Sequence, residues 1–160
     1  MVRPGVRGRR GATLIEFAIV LLLLLLLIFA IVEFGRYFFV QHTLQFATRE
    51  GARVGLVGRQ ITDAGGNTLS RTASIVQTIK SKASVAVKPA DVAVSVFPVD
   101  ATFTDPSGWQ TTQDAGLPGS YMRVRARYTY RFITPLIGAF VPSRSKVIEV
   151  QATYRNELFN

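Results

Sequence analysis

The sequence predicts an α+β protein: a long N-terminal membrane-spanning helix that continues into a small head, where one helix packs on a three-stranded antiparallel sheet. Three observations carry this. Residues 17–32 are uncharged and almost wholly apolar. The apolar stripe then persists at helical spacing to about residue 55, and three short segments of the C-terminal part alternate apolar and polar residues as half-buried strands do.

Composition narrows the function before any motif is read. The 160 residues include 19 Lys plus Arg against 10 Asp plus Glu, 48% hydrophobic residues, one His and no Cys. Without cysteine there is no disulfide framework, thiol nucleophile or thiolate metal site, and a single His excludes a multi-histidine metal cage. The high apolar content is concentrated near the N-terminus, which leaves a soluble part of roughly 100 residues with a core of modest depth. Four of the 19 bases (Arg3, Arg7, Arg9, Arg10) lie in the first ten residues with no acid among them. Setting residues 1–11 aside leaves 15 bases against 10 acids, a net charge of +5 in place of +9. The overall charge is therefore a poor argument for nucleic-acid binding.

The first element is a membrane helix. The sixteen residues Phe17–Val32 span roughly 24 Å at 1.5 Å each, short of a hydrocarbon core of roughly 30 Å, whereas Ala12–Val32 spans roughly 31 Å. The better fit takes Glu16 into the span. Arginines precede the helix and mixed charges follow it, so the positive-inside rule places the N-terminus in the cytoplasm and the head outside. A cleaved secretory signal is disfavoured, because Ile28-Phe29-Ala30 has only one small residue and is followed by more apolar chain.

A carboxylate in a membrane helix costs roughly 2.5–3.5 kcal/mol at the centre, less near an end, and is kept with a partner. Snorkelling of Glu16 to the headgroups is one solution. Another follows if the chain is cut between Gly11 and Ala12: the new α-amino group is a cation at the depth of Glu16 in a neighbouring subunit. The segment Arg9-Arg10-Gly11-Ala12-Thr13-Leu14-Ile15-Glu16-Phe17 resembles the class III signal of type IV pilins and pseudopilins. That resemblance implies cleavage after the glycine by a prepilin peptidase, a leader left in the cytoplasm, and a glutamate at the fifth mature position. It also implies an apolar helix that anchors first and later packs in a filament core. Ala12 departs from the phenylalanine typical of the first mature residue in type IVa pilins.

Past the span, Tyr37, Val40, Leu44, Ala47 and Val54 continue an apolar stripe, with Arg36, Gln45 and Arg49 off it. The pairs Glu33/Arg36 and Glu50/Arg53 have i,i+3 spacing worth only about 0.2–0.5 kcal/mol each. Their setting says more. Glu33-Phe34-Gly35-Arg36 and Ala47-Thr48-Arg49-Glu50-Gly51-Ala52-Arg53 resemble the paired signatures of the TadE-like family of the tight-adherence (Tad) pilus system. The resemblance is strongest over residues 9–55 and implies a pilin-like fold and a minor subunit for building or anchoring a pilus used in surface attachment and biofilm formation.

Residues 56–67, with Gly58, Gly65 and Gly66, read as a Gly-rich linker. Thr68–Ala83 reads as an amphipathic helix with Leu69, Ala73, Val76, Ile79 and Ala83 on one face. Asp91–Phe97 reads as a strand ended by Pro98, and residues 98–119 as a long loop in which Trp109 caps the core. Tyr121–Phe132 alternates most cleanly, with Met122, Val124, Ala126, Tyr128, Tyr130 and Phe132 facing inward and Arg123, Arg125, Arg127 and Arg131 facing the other way. A last strand carries Ile148, Val150, Ala152 and Tyr154, which completes an antiparallel meander. The four arginines are a candidate site for anionic polymers, and the bland reading is a solvated face partly balanced by Glu149.

No catalytic set, cofactor motif or metal pattern emerges. His42 stands alone, and Asp91, Asp100, Asp105 and Asp114 lie in turns, so neither an enzyme nor a small-molecule substrate is expected. The organisation expected is a cleaved cytoplasmic leader (1–11), a transmembrane helix (12–32), its extracytoplasmic extension (33–55), the linker (56–67) and the head (68–160). The chain is expected as a single-pass protein of the bacterial cytoplasmic membrane and in the pilus, with the lipid bilayer, a prepilin peptidase and other pilin-like Tad subunits as partners. The alternative is an uncleaved anchor whose basic head binds polysaccharide or DNA.

Overall fold

The computed structural model describes residues 7–139 and 141–158, so Arg3 lies outside the described residues. Helix α1 (Arg7–Leu56) is continuous across the apolar run and its extension. It is followed by α2 (Arg71–Ala83), β1 (Val92–Val99), β2 (Tyr121–Arg131), a single turn α3 (Pro135–Gly138) and β3 (Ser145–Arg155). The strands form one antiparallel sheet in the order β1-β2-β3. The predicted class, a long apolar helix and a second helix on a three-stranded sheet, is the one observed.

The chain forms two compact units. One holds α1 up to Arg36 with Arg131–Ser145; the other holds Tyr37–Tyr130 and the chain from Lys146 onward. In the first, the α1 residues from Gly11 to Val32 are exposed apart from the half-buried Ala30. The window of highest hydropathy in this helix is long and apolar enough to cross a membrane, consistent with a single-pass anchor.

In the second unit α1 becomes an ordinary amphipathic helix. Val40, Leu44, Ala47, Thr48, Gly51, Ala52 and Gly55 are buried at three- and four-residue steps. Gly51 and Gly55 mark the closest approach of α2. A Cβ on Gly51 would overlap the Ile79 side chain and come within 3.0 Å of the Ile75 carbonyl oxygen; one on Gly55 would lie 2.5 Å from Ile75 Cδ1 and 2.9 Å from Met122 Cε. Ile75 and Ile79 are fully buried there, each contributing roughly 1.5–3 kcal/mol by its burial. The helix stops in a Schellman motif: Gly58 adopts φ +66, its N–H donates to Gly55 O, and the Arg59 N–H donates to Val54 O.

Three details differ from the sequence reading. The Gly-rich segment is a closed turn: Thr62 and Thr68 form a β-bridge, Asp63 accepts from the Gly65 and Asn67 amides, and Ile61 N–H is held by Ser74 Oγ. Thr68 is thereby drawn out of α2, and Ser70 becomes its N-cap, accepting from Ala73 N–H. Ile75 takes the central buried place that the stripe gave to Val76, because the α1 glycines accept the longer side chain. Finally, β1 continues through Pro98, which pairs with Met122; a proline is tolerated because β1 is an edge strand.

The two sheet faces are both covered. Val92, Val94 and Val96 pair with Tyr128, Ala126 and Val124 on the core side, where Met122 and Tyr130 are also fully buried. On the reverse face Phe97 and Ser95 are fully buried as well, because residues 109–114 fold over them. Ser95 Oγ donates to Gln110 O, Val96 N–H to Thr112 O and Asp114 N–H to Val96 O.

Filling the α1–α2 crossing tests this packing. Gly51→Val is expected to lower head stability by about 1–3 kcal/mol through overpacking, read as a reduced Tm of the detergent-solubilised full chain. Gly35→Val, where a Cβ meets no atom within 4 Å, is the control expected to shift it little.

Candidate assembly site and its surroundings

The first signature is built around Glu33. Its side chain is 2% exposed, and its carboxylate accepts from Thr134 N–H at 2.8 Å, Thr134 Oγ1 at 2.6 Å and Ile133 N–H at 3.1 Å. Arg36 Nη1 lies 3.9 Å from it and donates to the Arg131 carbonyl at 3.3 Å. Glu33 therefore ties α1 to the entry of the β2–β3 loop, gathering the donors of Thr134, the N-cap of α3, and of Ile133 before it. An ionised carboxylate collecting several hydrogen bonds is the arrangement that makes its burial tolerable. Phe34 and Gly35 face outward.

In the second signature Gly51 and Ala52 are buried, and Gly51 admits α2 as described. Arg49 and Arg53 are exposed, and Arg53 meets Glu50 at 3.3 Å as an exposed i,i+3 pair, worth little energetically. The two motifs thus have different physical duties: one fastens a loop to the end of the apolar helix, the other sets an interhelical distance.

At the N-terminal end the helix runs without a break through Gly11 and Ala12; a Cβ at Gly11 would meet nothing within 4 Å. Arg7, Arg9 and Arg10 are helical in backbone. Glu16 is exposed on the apolar helix, and no partner for its carboxylate is present among the described residues.

The sheet arginines separate into three environments. Arg123 and Arg125, 7% and 6% exposed, flank Asp105 at 2.5 Å and 2.9 Å. Arg125 also reaches Gln151 Oε1 and Glu149, and Arg123 Nε donates to Thr153 Oγ1 at 3.0 Å. Trp109, half-buried, lies 4.1 Å from the Arg125 guanidinium and 5.0 Å from that of Arg127, with its ring 5.5 Å from Phe97. It thus covers the reverse face of the sheet, its core position being on that side. Arg127 is half-buried and donates to Gln110 O at 3.0 Å; Arg131 is exposed. The alternation correctly put these arginines on the face away from α2. It carried no sign of the 98–119 loop that closes over Arg123 and Arg125.

His42 is exposed, and among the described residues there is no group of His, Asp and Glu that could hold a metal ion.

The family model described as TadE-like protein matches residues 11–53. The N-terminal helix is TadE-like. The match takes in both signatures and ends within α1, before α2 and the sheet. No curated protein and no solved structure matches the chain.

Burial raises the pKa of Asp105, but hydrogen bonds from Arg123 and Arg125 and their charges outweigh it, leaving the carboxyl below its ordinary 3.8. A depressed folded-state value means that this contribution is complete above the unfolded pKa and disappears as pH falls through the folded one. Asp105→Asn is expected to flatten the loss of head stability below about pH 4. At neutral pH it should cost more than the roughly 1 kcal/mol of an exposed pair and less than the roughly 3–5 kcal/mol of a fully buried one, since Asp105 is 30% exposed. Chemical denaturation at a series of pH values measures both.

Proposed function

We propose that the chain is a minor pilin or pseudopilin of a Tad pilus, a structural subunit for assembly or anchoring of the filament used in surface adherence and biofilm formation. The observation that carries this reading is the state of α1. Its apolar half, matched by the TadE-like model, is exposed from Gly11 to Val32 apart from the half-buried Ala30, and among the described residues only the short stretch around Ile133 and Pro135 lies beside it. A bilayer and the helices of neighbouring subunits are its natural environments.

Several features support the same reading. Gly11 is not required by packing, and in a class III signal it is the residue after which a prepilin peptidase would cut. Cleavage would place the Ala12 ammonium and Glu16 of adjacent subunits at one depth in apolar surroundings, where mutual neutralisation is favourable. Beyond the span, Phe38, Phe39 and Phe46 are 52%, 52% and 55% exposed. By helical periodicity they fall on the side of α1 away from its buried stripe, a surface suited to lateral packing.

In this proposal residues 1–11 are the cytoplasmic leader and 12–32 the span of the cytoplasmic membrane. Residues 33–55 are the extension outside, 56–67 the connection, and 68–160 the exposed head. The alternative, a tethered module for anionic polymers, gains little from a sheet face whose Arg123 and Arg125 are already committed to Asp105.

Intact-mass analysis of membrane-extracted protein is expected to give a chain beginning at Ala12 when a prepilin peptidase is co-produced and the full chain when it is not; retention of residues 1–11 in the native host would refute processing. Glu16→Leu is expected to insert normally and to abolish or strongly reduce pilus assembly. Wild-type piliation in that variant would sink the pairing with the Ala12 amine.

A further inference from the structure

The β2–β3 loop is chemically unlike the other loops. Residues 132–143 contain no charged side chain, whereas the 98–119 loop carries Asp100, Asp105 and Asp114. Basic residues bracket it: Arg131 before, Arg144 and Lys146 after, with no acid anywhere between Asp114 and Glu149. Ile133 is 65% exposed, although the chain has a core in which to bury an isoleucine.

Many of its backbone amides have acceptors within the chain. Phe132 N–H donates to Arg144 O, those of Gly138 and Ala139 to Thr134 O and Pro135 O, and those of Val141 and Arg144 to Gly138 O and Val141 O. The Ile133 and Thr134 amides go to Glu33. Pro135 and Pro142 have no N–H to satisfy. Amides paired within the chain lower the cost of carrying this backbone into hydrocarbon.

The loop also lies beside the apolar part of α1. A groove of about 560 Å³ has Leu22, Leu26 and Phe29 of α1 on one wall and Ile133 and Pro135 on the other, with Arg36 at its edge. Leu22 and Phe29 belong to the segment of membrane-spanning length and hydropathy, so the groove opens at hydrocarbon depth.

We propose that residues 132–139 form a second membrane-embedded element, a wedge in the leaflet at the Glu33 end of the apolar span, and that the groove between it and α1 holds a phospholipid acyl chain. Arg36, Arg131 and Arg144 lie where the chain re-emerges and face the lipid phosphates, and Glu33 is the internal acceptor that lets the loop leave water. Lipid is the occupant because the groove lies at a depth where lipid is the solvent, and because the one acid that lines it, Glu33, is already bonded to the loop amides and paired with Arg36. The proposal rests on α1 spanning a bilayer and is independent of cleavage after Gly11.

The chain has no cysteine, so single nitroxide labels are unambiguous. The full chain, one copy per nanodisc of phosphatidylethanolamine and phosphatidylglycerol, would be labelled at Ile133→Cys and Ile137→Cys. Ile31→Cys serves as the reference within the span, and Leu117→Cys, 76% exposed, as the reference in the head. Collision with an aqueous nickel chelate is expected to be about tenfold lower at 133 and 137 than at 117 and similar to that at 31, because polar solutes partition poorly into hydrocarbon. Chelate access at 133 and 137 equal to that at 117, with 31 protected, overturns the wedge and leaves the anchor standing. Access at 31 as well removes the anchor and the wedge together. Protection that appears only in discs holding two or more copies makes a second copy the occupant and overturns the lipid assignment.

Discussion

The fold depends on a change of solvent along one uninterrupted helix. From Phe17 to Val32, α1 presents apolar side chains around its whole circumference; from Glu33 onward the same helix buries one face in a packed core. A helix can make that change without breaking because its backbone hydrogen bonds are internal in either medium. What the change demands is a local arrangement at the crossover, and Glu33 supplies it by collecting the amides of Ile133 and Thr134.

The head is organised by a second constraint, the distance between α1 and α2. Gly51 and Gly55, one helical turn apart, remove the side chains that would hold α2 away, and Ile75 and Ile79 fill the resulting depression. The sheet is then covered twice, by helices on one face and on the other by the long loop around Trp109. Covering the second face confines two arginines, and Asp105 makes that confinement stable. Within the TadE-like signatures, Glu33, Gly51 and Ala52 carry architecture inside the chain, while Glu16 lies exposed on the apolar part of the helix.

Much of this was legible in the sequence because it depends on period and length alone. The leucine run, the stripe through Val40 and Leu44 and the alternation from Tyr121 to Arg131 each repeat a local geometry often enough to be read without knowing what they touch. Met122, Val124, Ala126 and Tyr130 of β2 and Ile148, Val150 and Ala152 of β3 are buried as read, because the pleat fixes which side chains share a face; Phe132 falls beyond the end of β2.

The tertiary structure alone decided whatever depends on residues far apart in the chain. That Thr68 leaves α2 for a bridge with Thr62, that Ile75 and not Val76 is central, that Arg123 and Arg125 are shut in by Asp105, and that Glu33 reaches a loop a hundred positions away all follow from which surfaces meet. Periodicity assigns a residue to a face and says nothing of what will cover that face. By itself, the sequence determined a membrane-length helix with an acid near its start, its two signatures, and an α+β head; the partners of its buried charges were settled by packing, because only the folded chain brings them within hydrogen-bonding distance.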